Sequence, residues 1–130
     1  MAPIARLRAV VLDCPDPRAL ADFYRALVGG ELAHADDEWV SLRDGDTVLV
    51  SFQRADDHRP PQWPDGDPPQ QVHIDVTVDD VDVAEAAVLA LGATKHPIQP
   101  GVEQGEPWRV YLDPAGHPFC LIWDEDEDQP

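Results

Sequence analysis

The stretch Gln71 to Gly92, QVHIDVTVDDVDVAEAAVLALG, most constrains how this chain can fold, because it reads as one strand running straight into one helix. Val72, Ile74, Val76 and Val78 alternate with His73, Asp75 and Thr77, the period-2 pattern of a sheet with one apolar and one polar face. Asp79 and Asp80 offer an N-cap, Ala84, Ala87, Val88 and Leu91 follow at helical spacing, and Gly92 provides a stop. His73, Asp75 and Thr77 therefore point away from the helix. Chemistry, if the chain performs any, is expected on that polar face.

The same order of elements occurs upstream. Arg6 to Asp13, RLRAVVLD, is an apolar run of strand length, closed by Pro15 and Pro17, with Asp16 as a cap. A helix over Pro17 to Val28 places Leu20, Phe23, Tyr24 and Leu27 on one stripe, and Gly29-Gly30 ends it. Strands near Glu31 to Ala35 and over Glu38 to Arg43 follow, and an Asp44-Gly45 turn leads into Thr47 to Arg54. After Gln71 to Val78 and the helix Val81 to Leu91 come a short strand near Thr94 to His96 and a Pro/Gly loop, Pro97 to Gly105. Strands over Pro107 to Asp113 and His117 to Trp123 flank the turn Pro114-Ala115-Gly116. Both copies read β-α-β-β-β, and the duplication predicts an α+β fold of tandem βαβββ modules. The modules span about 6–54 and 70–123 of a single domain, joined by the Pro-rich loop 55–69. Trp63 in that loop is expected to anchor it.

Composition bounds the function classes. Nine basic residues against 26 acidic ones give a net charge of −17, which repels nucleic acid and anionic membranes as partners. Much of the acid lies in Asp124 to Asp128, DEDED, expected to be a solvated end with no assigned role. No apolar run approaches the ~20 residues that a membrane span needs. No signal peptide is read at the N-terminus, and Cys14 and Cys120 lack a CxxC spacing. The expectation is a cytoplasmic protein with free thiols.

The helix motif FY-x-x-L-x-G at Phe23 to Gly29 and the turn motif Tyr-x-Asp-Pro-x-Gly at Tyr111 to Gly116, inside a tandem βαβββ chain, resemble the vicinal oxygen chelate superfamily. The nearest likeness is its glyoxalase-like and bleomycin-resistance-like branch, over about Arg6 to Trp123. The resemblance implies an open, curved mixed sheet with a concave cleft, and often a homodimer. It also implies four metal ligands, one from the first and one from the last strand of each module.

Carried over residue by residue, those ligand positions fall on Ala9, on Gln53 or Ser51, on His73 and on Cys120. Ala9 cannot ligate a metal, and the first module offers no carboxylate. His73 is the metal candidate, with Gln53 and Cys120 as weaker ones. The expectation is no cofactor, with a divalent metal held open as the alternative.

Extending the alternation assigns Leu7, Ala9, Val11, Trp39, Ser41, Arg43, Leu49, Ser51 and Gln53 to the cleft face. From the second module it adds His73, Asp75, Thr77, Arg109, Tyr111, Cys120 and Ile122. Aromatic and apolar walls with a few convergent polar groups suit a small organic ligand. Asp75 or a carboxylate on the ligand would answer Arg43 or Arg109. Of the remaining histidines, His34, His58 and His96 are placed in exposed loops, and His117 in the turn after Pro114-Ala115-Gly116.

Two main functions follow, with an interaction domain that takes no small-molecule ligand as a minor third. The first is binding of a small organic molecule, aromatic or cationic, without the full four-ligand metal site. The alternative is a metal-dependent lyase, isomerase or dioxygenase with His73 as metal ligand or general base. His73 is the leading catalytic candidate, since an imidazole can act as ligand, base or donor near neutral pH.

Overall fold

A computed structural model describes residues 2–123, and the acidic run Asp124 to Asp128 lies outside them. The chain divides into two compact units, Met1–His58 and Arg59–Pro130. Each holds one mixed four-stranded sheet. In the first, β1 (Val11–Cys14), α1 (Pro17–Val28), β2 (Glu31–Ala33), β3 (Trp39–Asp44) and β4 (Thr47–Arg54) follow in sequence. In the second, β5 (Ile74–Thr77), α2 (Val81–Ala90), β6 (Thr94–Lys95), α3 (Pro100–Glu103), β7 (Trp108–Leu112) and β8 (Pro118–Ile122) do so. The strand orders are β1-β4-β3-β2 and β5-β8-β7-β6, with the first strand parallel to the last in both. The duplicated βαβββ order and the α+β class are therefore realised, and the one-turn helix α3 is an addition within the expected Pro/Gly loop.

In the first unit, α1 begins where Asp16 accepts a hydrogen bond from the Ala19 amide at 3.2 Å. It ends where Gly29 takes φ 81°, a conformation that costs glycine nothing. Its Leu20, Ala21, Phe23 and Tyr24 are buried against Leu12, Val40, Leu42, Val50 and Phe52, with Tyr24 stacked on Phe52 at 5.6 Å. Those sheet residues share one face. Trp39, Ser41, Ser51, Gln53 and Val11 share the other through the pairings Trp39↔Gln53, Ser41↔Ser51 and Val11↔Ser51.

Two expected strands begin late, each for a physical reason. The run expected to pair from Arg6 enters the sheet only at Val11, because β4 passes an irregularity in its register opposite Leu42 and Arg43. The strand expected from Gln71 begins at Ile74. Ile74 pairs with Phe119, so the next partner up the ladder would be Pro118, which has no N–H to give. Upstream of it, the Pro-rich segment pairs with itself: Gln62 donates to Pro68 O at 2.8 Å, and Gln70 donates to Gln62 O at 3.0 Å.

The D-P-x-G motif works as a turn. Asp113, 3% exposed, accepts from the Ala115 and His117 amides at 2.9 and 3.0 Å, and Gly116 takes φ 87°. A Cβ on Gly116 would meet Pro60 Cβ at 2.5 Å, so the Pro-rich segment lies directly on this turn. After β6 ends, the Gln99 side chain continues its ladder, donating to Val110 O at 2.7 Å and accepting from Val110 N at 2.8 Å.

Among the described residues, no helix is long and apolar enough to cross a membrane.

Candidate functional site

The two faces of the second sheet differ in chemistry, and register decides which residue goes where. Tyr111 donates to Glu85 Oε1 of α2 at 2.7 Å, so Tyr111 lies on the helix face. Its partners Phe119 and Ile74 share that face, as do Arg109, Leu121 and Val76. The opposite face carries Trp108, Val110, Cys120 and Ile122, with Asp75 beside Cys120 and Thr77 beside Ile122.

The expected grouping of Arg109 and Tyr111 with His73 and Cys120 is therefore not what the geometry gives. Arg109 contacts Asp82 at 3.3 Å and Glu85 at 3.5 Å, and it stacks on Trp123 at 5.5 Å. The carboxylate expected to meet it, Asp75, is on the other face. Antiparallel register places Trp108, not Arg109, opposite Ile122, and one residue of slip reverses every side chain of a strand.

On that opposite face His73, Asp75 and Cys120 converge. One ligand-type atom from each lies within 4.8 Å of the others. His73 Nε2 is 3.3 Å from Asp75 Oδ1, with the side chains 28% and 36% exposed, so solvent reaches both. Cys120 is fully buried. Burial first, then the nearby Asp75 charge and a hydrogen bond to it, push the Cys120 thiol up to about 12. Without a cation the thiol stays protonated near neutral pH.

Trp63 of the Pro-rich segment packs against Trp108, Val110, Cys120 and Ile122. It also meets His73 edge-on, with ring centres 5.1 Å apart and planes at 85°. The loop tryptophan thus forms one wall of the cluster. Its indole nitrogen and that of Trp108 are buried without a hydrogen-bond partner.

The remaining sequence candidates, Trp39, Arg43, Ser51 and Gln53, belong to the first unit. Trp39 Nε1 donates to Ser41 Oγ at 3.0 Å, and Ser41 and Ser51 hydroxyls are 3.1 Å apart. Arg43 and Gln53 are exposed. Asp75 was assigned to the cleft but not to the metal set; the H-x-D spacing on one strand face was the signal for it. His96 departs from its expected surface place: it is 8% exposed and its Nδ1 accepts from Ile98 N at 3.0 Å.

A profile of the family described as glyoxalase-like domain matches residues 9–122. The chain belongs to this family. Its motifs at Phe23 to Gly29 and Tyr111 to Gly116 thus sit inside a match covering nearly the whole chain.

Solved structures agree on the fold. A glyoxalase/bleomycin resistance protein/dioxygenase family enzyme from Burkholderia phytofirmans is 19% identical, with 90% of this chain and 97% of that chain covered and a TM-score of 0.63. The fosfomycin resistance protein FosX from Listeria monocytogenes, a complex with Mn(II) and 1S,2S-dihydroxypropylphosphonic acid, is 18% identical, covering 96% and 94%, with a TM-score of 0.69. FosX from Mesorhizobium loti is 18% identical, covering 97% of each chain, with a TM-score of 0.64. A comparison with curated protein sequences returns no match.

Proposed function

We propose that this glyoxalase-like domain binds a small organic molecule, and that His73, Asp75 and Cys120 hold a zinc-like divalent ion for it to engage. The observation supporting this reading is the convergence of an imidazole, a carboxylate and a thiol within 4.8 Å. A mixed N, O and S set suits zinc, whereas all-oxygen sets suit harder ions. In this it differs from the Mn(II) held by the Listeria FosX complex. Such an ion, when bound, supplies Lewis acidity to an oxygen of the ligand.

The chain's own residues divide the remaining work. Asp75 Oδ1 lies 3.3 Å from His73 Nε2, so the two candidate ligands sit side by side. Trp63 walls one side and excludes water from Cys120. The partial exposure of His73 and Asp75 leaves an approach for the ligand.

The 3.3 Å contact of His73 with Asp75 favours a second reading, in which no ion is bound. A carboxylate-oriented imidazole is then a general base, and Cys120 only fills space.

Cobalt(II) titration of the untagged chain separates the two. One equivalent bound with thiolate-to-cobalt absorption, abolished in Cys120→Ser and at least tenfold weaker in His73→Ala, supports the metal reading. A silent cobalt spectrum in the unsubstituted chain sinks it.

A further inference from the structure

Residues 59–70, RPPQWPDGDPPQ, form a stiff and self-contained piece of chain. Five of the twelve are proline, which restricts the backbone and removes N–H groups that could bond elsewhere. Gln62 N donates to Pro68 O at 2.8 Å, and Gln70 N donates to Gln62 O at 3.0 Å. The Arg59 guanidinium donates to Asp67 O at 3.3 Å and stands 3.5 Å from the Asp67 carboxylate. Among the described residues, the hydrogen bonds and the ion pair of this segment all close on the segment itself. It meets the rest of its unit through apolar contacts, Pro60 on the turn at Gly116 and Trp63 on the second sheet.

We propose that residues 59–70 are a flap, and that Trp63 is a seal that swings out before an ion or ligand reaches Cys120. The inference rests on reading His73, Asp75 and Cys120 as the site, and adds a gate to it. Access to the three side chains is unequal. His73 and Asp75 are partly exposed, whereas Cys120 is fully buried. Trp63 packs on the group of side chains that contains Cys120 and meets His73 edge-on, with ring centres 5.1 Å apart. An ion arriving from solvent therefore reaches the imidazole and the carboxylate first. The thiol becomes available only when the indole leaves.

The closed position carries its own reason to open. Trp63 Nε1, Trp108 Nε1 and Gln70 Oε1 are buried without hydrogen-bond partners, and two of these atoms belong to the flap. A buried polar atom left unpaired is unfavourable, and water satisfies it once the segment lifts. The two ends of the flap differ in how they are held. Pro60 lies directly on Gly116, where an added Cβ would come within 2.5 Å of Pro60 Cβ, so this end is a fixed pivot. At the other end β5 begins only at Ile74, which leaves residues 71–73 outside the ladder, with Val72 exposed. Slack there and a pivot at Pro60 let the closed loop move as one piece. Segments that open locally, below the stability of the core, are the usual source of active-site lids.

Hydrogen exchange followed by NMR on the full chain, in chelator-containing buffer, reads the opening without any ion. The Trp63 indole N–H should exchange at least a hundredfold faster than the Val110 amide, which donates to Gln99 Oε1 at 2.8 Å. Exchange of both at one rate would mean that Trp63 leaves only when the fold does, and overturns the flap. Iodoacetamide labelling of Cys120, read by mass spectrometry, tests the seal. Trp63→Ala should label at least tenfold faster than the parent chain while Val110 keeps its protection, and Trp63→Phe, which retains an apolar ring, should stay near the parent rate. Unchanged labelling in Trp63→Ala overturns the seal. So does faster labelling accompanied by loss of Val110 protection, which signals unfolding of the unit. Neither measurement involves an ion, so a silent cobalt titration would remove the metal reading and leave the flap standing.

Discussion

Burial and charge act on Cys120 in the same direction. Its thiol is pushed up to about 12, first by desolvation and then by Asp75. At pH 8 the thiol is then held protonated, and the thiolate is the species that alkylates. Iodoacetamide at pH 8 should therefore label Cys120 far more slowly in the native chain than after denaturation, as read by mass spectrometry of its peptide. Comparable rates would mean that the thiol is neither enclosed nor held neutral. His73→Ala makes the complementary test. His73 sits one residue before β5 and is partly exposed, so its removal should leave the melting temperature within a few degrees while ligand binding drops at least tenfold. Unfolding with unchanged affinity would make the residue structural.

Within the site, what could be read in advance was set by spacing. His73 and Asp75 are two residues apart in extended chain, so they share a face whatever else the fold does. Cys120 joins them only through the register Asp75↔Cys120, and Arg109 leaves them only through Trp108↔Ile122. Cross-strand register depends on partners distant in sequence, and the run Glu106-Pro107-Trp108 carries no local signal for its parity.

Elements with local determinants were legible in full. Both the start and the end of α1 are set by capping chemistry within a few residues, and β4 begins and ends where its alternation does. α2 shows what local pattern misses. Of the expected stripe Ala84, Ala87, Val88 and Leu91, only Val88 is buried. The helix instead turns Glu85 to the sheet, where Lys95 at 2.9 Å, Tyr111 at 2.7 Å and Arg109 at 3.5 Å surround it. A charged residue at that position reads as solvent-facing, because its partners come from β6 and β7.

Those partners, hydrogen bonds from Lys95 and Tyr111 foremost, hold the Glu85 carboxyl below its ordinary value of 4.5. A depressed carboxylate contributes stability that is present above its unfolded value and is lost as pH falls through the folded one. The melting temperature should therefore drop below pH 4.5, and Glu85→Gln should flatten that part of the profile while lowering the plateau near pH 7. An unaltered acid limb in Glu85→Gln would show that the cluster contributes nothing to folding.

For the whole molecule, net charge opposes apolar exposure. A charge of −17 on 130 residues repels a second copy. Yet large apolar side chains stand well exposed in both units, among them Leu7 at 88% and Ile4 in the first, and Val83 at 66% and Val72 at 63% in the second. Exposed apolar side chains in such number favour association. We therefore propose a homodimer whose formation is governed by salt. The Debye length shortens from about 30 Å at 0.01 M ionic strength to about 8 Å at 0.15 M, which removes most of the repulsion between chains while leaving burial of apolar surface intact. Static light scattering at micromolar concentration should give twice the chain mass at 0.15 M salt and above, falling toward the chain mass at 0.01 M. Leu7→Asp and Val83→Asp add charge and remove apolar area at exposed positions, so whichever lies in the contact should shift the midpoint to higher salt. A clean monomer at every salt concentration would sink the dimer. A dimer that dissociates as salt rises would instead show that ion pairs, not apolar contacts, hold the two chains together.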